Sequence, residues 1–257
     1  MLADATGRGG TRLALVLSRV SLAMSDPRRF RRLVGLWGAV LAFALATDSA
    51  SAGRTQASPR ARARPARKAD PSHWHAMARR MVPTRRPRRT SLTHAEARQF
   101  FDALAGSRLG FDYPDSGCEA RADVAAAAAE RAGVRAHKVL VYSDGEVPLR
   151  AATRNTVDGT ITWDYHIALA IEVDGALRVF DPALFDRPVS VRTWKKRVGA
   201  EHAGVKVLPG NQYMDDFDPA PREVRIRQLA GSLSGVARLR RKARARQAEL
   251  ERAGAGE

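Results

Sequence analysis

The stretch TITWDYHIALAIEVDGALRVFDP, residues 160–182, decides the fold. Two runs rich in β-branched and aromatic residues flank Asp174-Gly175, and Asp-Gly between such runs is the strongest short hairpin signal. One strand is expected over 160–173 and its partner over 176–180. Side chains alternate across a strand, so Ile161, Trp163, Tyr165, Ile167, Leu169 and Ile171 share one face. Thr162, Asp164, His166, Ala168, Ala170 and Glu172 share the other, which is small and holds the histidine. With a two-residue turn Val173 pairs with Ala176 and Ala168 falls opposite Asp181. Asp181 then lies diagonal to His166 on the same face.

Working outward, Asp144-Gly145 and Asp158-Gly159 repeat the hairpin signal and predict strands over about 137–142 and 146–152, the whole forming an antiparallel meander. Two helices are expected before it. Thr93 followed by Glu96 is a capping box, and Phe100, Phe101 and Leu104 give an apolar stripe that stops near Gly106, predicting a helix over 94–105. Ser116-Gly117-Cys118-Glu119 reads as a second capping box with Ser116 as N-cap. It opens an alanine-rich helix that runs to Arg131 and ends at Gly133, with Cys118 at its second position. Ala125 to Ala129 offer the smallest surface in the chain, and the expectation is that they pack on Ala168 and Ala170, bringing Cys118 to His166. The class is α+β, an N-terminal cysteine helix on an antiparallel meander.

Alone, each of the three polar residues has an ordinary reading: a small core cysteine, a satisfied strand histidine, and a strand-ending Asp181-Pro182 turn. Together they form a nucleophilic constellation. A helix N-terminus and a neighbouring imidazolium favour thiolate, and a carboxylate selects which imidazole nitrogen faces the sulfur. Such a triad serves side-chain amide hydrolysis, peptide hydrolysis and transamidation alike, because all three pass through an acyl-enzyme. Cys118 is the single cysteine, which excludes an intramolecular disulfide framework and a thiolate-rich metal site. No metal or organic cofactor is expected.

The net charge of +17 invites a nucleic-acid or anionic-surface reading. Its distribution argues otherwise, since residues 91–220 hold 15 basic and 19 acidic side chains and the excess belongs to the flanks. A non-enzymatic basic protein therefore stays the alternative from another class. At the N-terminus, Arg28, Arg29, Arg31 and Arg32 precede an apolar run from Leu33 to Ala46, and Ala50-Ser51-Ala52 follows, the three parts of a secretory signal. The run is too short for the ~18–20 residues of a stable membrane span. Residues 1–52 are thus expected to be a signal, with a possible extension before Met24, cleaved near Gly53 after Sec or twin-arginine export to a secreted or periplasmic location. Residues 53–90 hold 12 basic residues and 1 acidic one with few large apolar groups, and are expected to be a disordered linker or pro-segment. His73-Trp74-His75 there has the chemistry to dock into a groove or bind a metal, and the preferred reading is a stray aromatic in a linker. Residues 91–220 are taken as the catalytic domain, and residues 221–257 as a basic tail holding a solvated helix.

Phe111-Asp112-Tyr113, Gly117-Cys118, Ala120-Arg121-Ala122, Trp163 to Ala168, and Asp181-Pro182-Ala183-Leu184-Phe185 with Pro188 and Trp194 resemble the bacterial protein-glutaminase family, in the same order. The resemblance covers about residues 104–194. It implies a papain/transglutaminase-like fold and a secreted enzyme that deamidates protein-bound glutamine, with Cys118 as nucleophile, His166 as general base and acid, Asp181 as orienter, and Trp163 and Tyr165 against the substrate. It also implies a pro-segment that blocks the site, which residues 53–90 would supply. Two departures stand out: Glu119 where an aromatic is expected and Asp123 where a histidine is expected. Both are expected to add negative charge that disfavours thiolate.

Overall fold

The computed structural model describes residues 70–156, 158–213 and 220–254. The signal segment, the first part of the basic linker and the cleavage point lie outside them. The elements in chain order are α1 (Pro71–Met81), β1 (Ser91–Leu92), α2 (His94–Ala105), α3 (Cys118–Arg131), β2 (His137–Tyr142), β3 (Leu149–Ala152), β4 (Thr160–Trp163), β5 (Tyr165–Val173), β6 (Ala176–Phe180), β7 (Val189–Ser190), α4 (Val191–Arg197), β8 (Lys206–Pro209) and α5 (Arg222–Gly254). This is an α+β protein.

The main sheet runs β7-β6-β5-β2-β8 with antiparallel neighbours, and β1 joins β5 in parallel. The β5–β6 hairpin has the expected register, Val173 opposite Ala176, closed by Asp174 and Gly175 in left-handed conformations at φ 47° and 81°. Two left-handed residues are what a two-residue turn needs to match strand twist. The ladder ends at Leu169 opposite Phe180, and Asp181 follows.

The single strand expected over 160–173 is two strands. The chain breaks at Asp164, so that β4 pairs with β3 in a separate hairpin while β5 enters the main sheet between β6 and β2. The Asp144-Gly145 hairpin does not form either. Asp144 Oδ1 accepts the amides of Glu146 and Val147, at 3.1 and 2.8 Å, which turns the chain locally and sends β3 away from β2.

The packing faces are the reverse of those expected. Leu169, Ile171 and Val173 of β5 pack against Val124 to Ala129 of α3, whereas Ala168 and Ala170 face Val139, Val179, Val189 and Trp194. Two small faces laid together would leave a gap. Large strand side chains over an alanine row, and Trp194 over the strand alanines, fill the volume instead.

Both flanks of the sheet are also more structured than their composition predicts. Within the expected disordered linker, Pro71 at N1 and Asp70 as N-cap start α1, with Ser72 N donating to Asp70 Oδ1 at 2.9 Å. Met77, Ala78 and Met81 are buried, and Trp74 packs on the same core rather than hanging free. The C-terminal helix is not solvated: Ile226, Leu229, Leu233, Val236 and Leu239 of α5 are buried. Its stripe packs on α1 and α3, so the folded unit extends past residue 220. Among the described residues no helix is long and apolar enough to cross a membrane.

Candidate active site

The helix α3 begins abruptly. Gly117 is its N-cap, at φ 75° and ψ 20°, with no side-chain cap, so Ser116 does not close the expected capping box and Cys118 is the first helical residue rather than the second. The left-handed conformation at 117 favours glycine. Space demands it as well, since a Cβ there would overlap the Leu239 side chain of α5. The result is a helix start with no side-chain cap.

Cys118 at this start, His166 near the start of β5 and Asp181 just past β6 come together, all buried. His166 Nε2 lies 2.8 Å from Asp181 Oδ2. The same oxygen accepts the indole N–H of Trp194 at 3.0 Å, which fixes the carboxylate. Trp163 stacks on one side of the imidazole at 4.5 Å between centroids, and Trp194 stacks on it at 5.6 Å. The ring is thus held in a slot, and Nδ1 remains buried without a closed hydrogen bond. The thiol and this imidazole shift each other's titration.

Those shifts favour a charged pair. Burial pushes the Cys118 thiol up, but the neighbouring His166, the charge of Arg121 and the Ile167 backbone bring it below its ordinary value. Burial opposes charging His166, yet the Asp181 carboxylate and the thiol raise it to about 9. Burial would raise Asp181, and His166, Trp194 and Arg121 outweigh it. A thiolate beside an imidazolium, backed by a carboxylate, is equipped for attack on an acyl carbon followed by proton delivery to the leaving group.

The remaining expected site residues divide. Tyr165 borders a cleft of about 530 Å³ between the start of α3 and α5, reached by Gly117 and Glu119 on either side of the cysteine and by Ser232, Arg238 and Lys242 opposite. Trp163 has no such exposure: it is covered on one face by His166 and gives its N–H to the Pro114 carbonyl at 2.9 Å. It forms a wall behind the imidazole. The two acidic departures have partners of their own. Asp123 is paired with buried Lys138 at 2.5 Å and accepts from Ser232 at 2.8 Å, while Glu119 is hydrogen-bonded to the Tyr165 hydroxyl.

Sequence reasoning missed Arg121, Trp194 and Lys138 as parts of the site. Arg121 was visible as one residue of the Ala120-Arg121-Ala122 block, one turn after the cysteine. Its Nη1 donates to the carbonyls of Gly110, Tyr113 and Ser116, at 3.3, 3.0 and 3.0 Å, which gathers the loop that leads into α3. Among the described residues no group of histidine, cysteine and acidic side chains is arranged to hold a metal ion.

The class that fold and site define is an α+β protein with a buried Cys-His-Asp constellation at a helix start. Residues 95–198 match the family model Gln_deamidase_2, described as glutaminase. Over that segment the chain is similar to the glutaminase family. Among solved structures it is similar to a crystal structure of a mutant pro-protein-glutaminase, at 22% identity and TM-score 0.42 over 50% of this chain and 51% of that one. It is also similar to a crystal structure of protein-glutaminase, at 21% and 0.41 over 50% and 78% of the two chains. The third is the NMR structure of protein-glutaminase from Chryseobacterium proteolyticum, at 21% and 0.40 over 51% and 78%. The chain spans about half the length of the pro-protein-glutaminase it matches. No curated protein matches it.

Proposed function

We propose that this protein is a protein-glutamine deamidase that hydrolyses the side-chain amide of protein-bound glutamine to glutamate and ammonia. The observation that carries the reading is the ring of His166, locked by Asp181 on Nε2 at 2.8 Å and left with Nδ1 for the thiol. The family model over residues 95–198 supports glutamine as the substrate side chain.

In this mechanism the Cys118 thiolate attacks the glutamine carboxamide carbon. The oxyanion forms near the first amides of α3, which the missing side-chain cap leaves available. His166 transfers its proton to the departing nitrogen and ammonia leaves a thioester. His166 then takes a proton from water, the hydroxide attacks the thioester carbonyl, and glutamate and the thiolate are regenerated. No metal or organic cofactor takes part. The glutamine side chain enters from the cleft beside Gly117 and Glu119, with Tyr165 on its wall.

In this reading residues 1–52 direct export and the secreted chain begins near Gly53. An inhibitory pro-segment would lie before α1, because α1 itself is anchored in the core through Met77, Ala78 and Met81. N-terminal sequencing of the secreted protein tests the boundary.

The activity test incubates the chain from Gly53 onward with a glutamine-rich protein and follows ammonia release and conversion of amide to acid by mass. Ammonia with the polypeptide intact supports deamidation. Backbone fragments would replace this reading by a peptidase, and amine-dependent cross-links by a transglutaminase. Binding to nucleic acid that is steep in salt and indifferent to Cys118, without ammonia, would replace it by a basic binding protein.

A further inference from the structure

Arg121 is 3% exposed, one helical turn after Cys118. It borders the same small cavity as Cys118, His166 and Asp181. A guanidinium taken out of water is costly unless opposite charge or hydrogen bonds compensate it. Here Nη1 has three carbonyl partners, but Nη2 is buried with none, and none of the salt bridges among the described residues involves Arg121. Asp115, a carboxylate in its field, is engaged by Arg246 at 2.7 Å. Asp181 is engaged by His166 and Trp194.

The charges of this buried group can be counted. Asp181 and the His166 imidazolium cancel. Arg121 then leaves one positive charge in excess, and ionising Cys118 removes it. Of the nearby acids, Asp123 is paired with Lys138, and Glu119 keeps its charge but lines the open cleft outside this buried group.

We propose that Arg121 is a positioning residue that makes the thiolate the charge-balanced state of the site and, through its three carbonyl bonds, holds the left-handed Gly117 start from which Cys118 projects. The fields support this, since Cys118 and Asp181 are the two largest favourable charges acting on Arg121 and Arg121 in turn lowers both. The inference rests on the reading of Cys118 as the nucleophile. It is independent of which amide is hydrolysed.

The test is the pH dependence of iodoacetamide alkylation of the full chain, read by mass. The single cysteine makes the product unambiguous. Arg121→Gln is expected to move the alkylation midpoint up by about one pH unit, so that below the midpoint the rate falls about tenfold. Arg121→Lys, which keeps the charge but not the fork that binds the carbonyls, is expected to keep the midpoint low while making loop 110–117 easier to cleave in limited proteolysis. A folded Gln variant with the wild-type midpoint would show that Arg121 serves the loop alone and overturn the proposal. If the Gln variant does not fold, the Lys variant decides: a midpoint as high as that of a free thiol overturns the proposal equally. Because alkylation needs no substrate, an Arg121-dependent midpoint in a protein that releases no ammonia would keep this inference and reject the deamidase reading.

Discussion

Helices α2 and α3 are similar in length and begin in opposite ways. At α2 the chain supplies its own cap: Thr93 Oγ1 accepts from Glu96 N at 3.3 Å, Glu96 Oε2 accepts from Thr93 N at 2.9 Å, and Arg89 adds a bond to that oxygen at 2.7 Å. At α3 a left-handed glycine stands where such a side chain would be, and Arg121 one turn on, together with parts distant in sequence, holds the start instead. Arg121 gathers three carbonyls, Trp163 holds Pro114, Arg246 holds Asp115, and Leu239 packs against Gly117. A helix end closed by local side chains is cheap to specify and leaves fewer free donors. An end held from behind keeps its amides open for an oxyanion, and it depends on tertiary structure to exist.

The comparison fails at once if the open end has no chemistry. Cys118→Ser is expected to lower ammonia release by at least about 10⁴-fold, in the range found for removing a nucleophile that acts as part of a unit. The melting temperature should stay near wild type, because the hydroxyl replaces the sulfur with little change in volume. A serine variant of comparable rate would remove the nucleophile and with it any meaning in the open helix end.

Gly117→Ala attacks the same end through the backbone. The left-handed conformation costs an L-residue roughly 1–2 kcal/mol, and overpacking against Leu239 adds about 1–3 kcal/mol. Urea melts are expected to show that loss, and deamidation to fall with it. Adding Leu239→Ala is expected to recover the packing part and not the backbone part. Full recovery would mean that space alone, and not φ, selects glycine.

Asp181→Asn is a smaller change. Asparagine can still accept from Trp194, but it cannot stabilise the imidazolium, so turnover is expected to fall at least about tenfold, roughly 1.4 kcal/mol. The pH profile sharpens the test. His166 is raised to about 9 chiefly by Asp181, so the alkaline fall in activity should move to lower pH in the variant. Stability has the same sign: a histidine raised on folding stabilises the native state fully below its unfolded value of about 6.5. That contribution is lost as pH rises towards about 9, and the variant should lose its dependence in that window.

How much of this was legible follows the same division between local and distant. The capping box of α2, the Asp174-Gly175 turn and its register are short-range chemistry, and the chain writes them plainly; the meeting of His166 and Asp181 follows from that register. The apolar stripe of α5 was equally present at Ile226, Leu229, Leu233 and Val236, but was hidden by the density of arginine around it. Long basic side chains lie along a surface while the stripe beneath is buried, so composition misled where periodicity would have served. The Asp-Pro-Ser start of α1 was a cap signal overlooked for the same reason. Which face of β5 meets α3 was not legible, because it depends on Trp194 filling the other side. Arg121 could have been questioned as a cation one turn from a thiol, but its burial and its carbonyl partners belong to a loop that only the folded chain brings around it.

The smallest expected effect tests whether the two helix starts are independent. Thr93→Ala removes the hydroxyl that accepts from Glu96 N and leaves the Glu96 contacts with Thr93 N and Arg89 in place. A lost N-cap costs about 1 kcal/mol, which in a chain of this size lowers the melting temperature by roughly 2–4 °C. Turnover at a temperature well below the transition should not change, since α2 contributes no site residue. One path could make it change. Phe100 of α2 meets Phe180 edge-on, with centroids 5.6 Å apart, and Phe180 immediately precedes Asp181. If a loosened α2 reached the site by that path, activity would fall at temperatures where the protein is still folded, and the alkaline limb set by His166 would shift as it does in Asp181→Asn. Unchanged turnover with a lower melting temperature is the expected result, because Asp181 is held on its far side by Trp194 and His166 and does not rely on Phe180 for its aim.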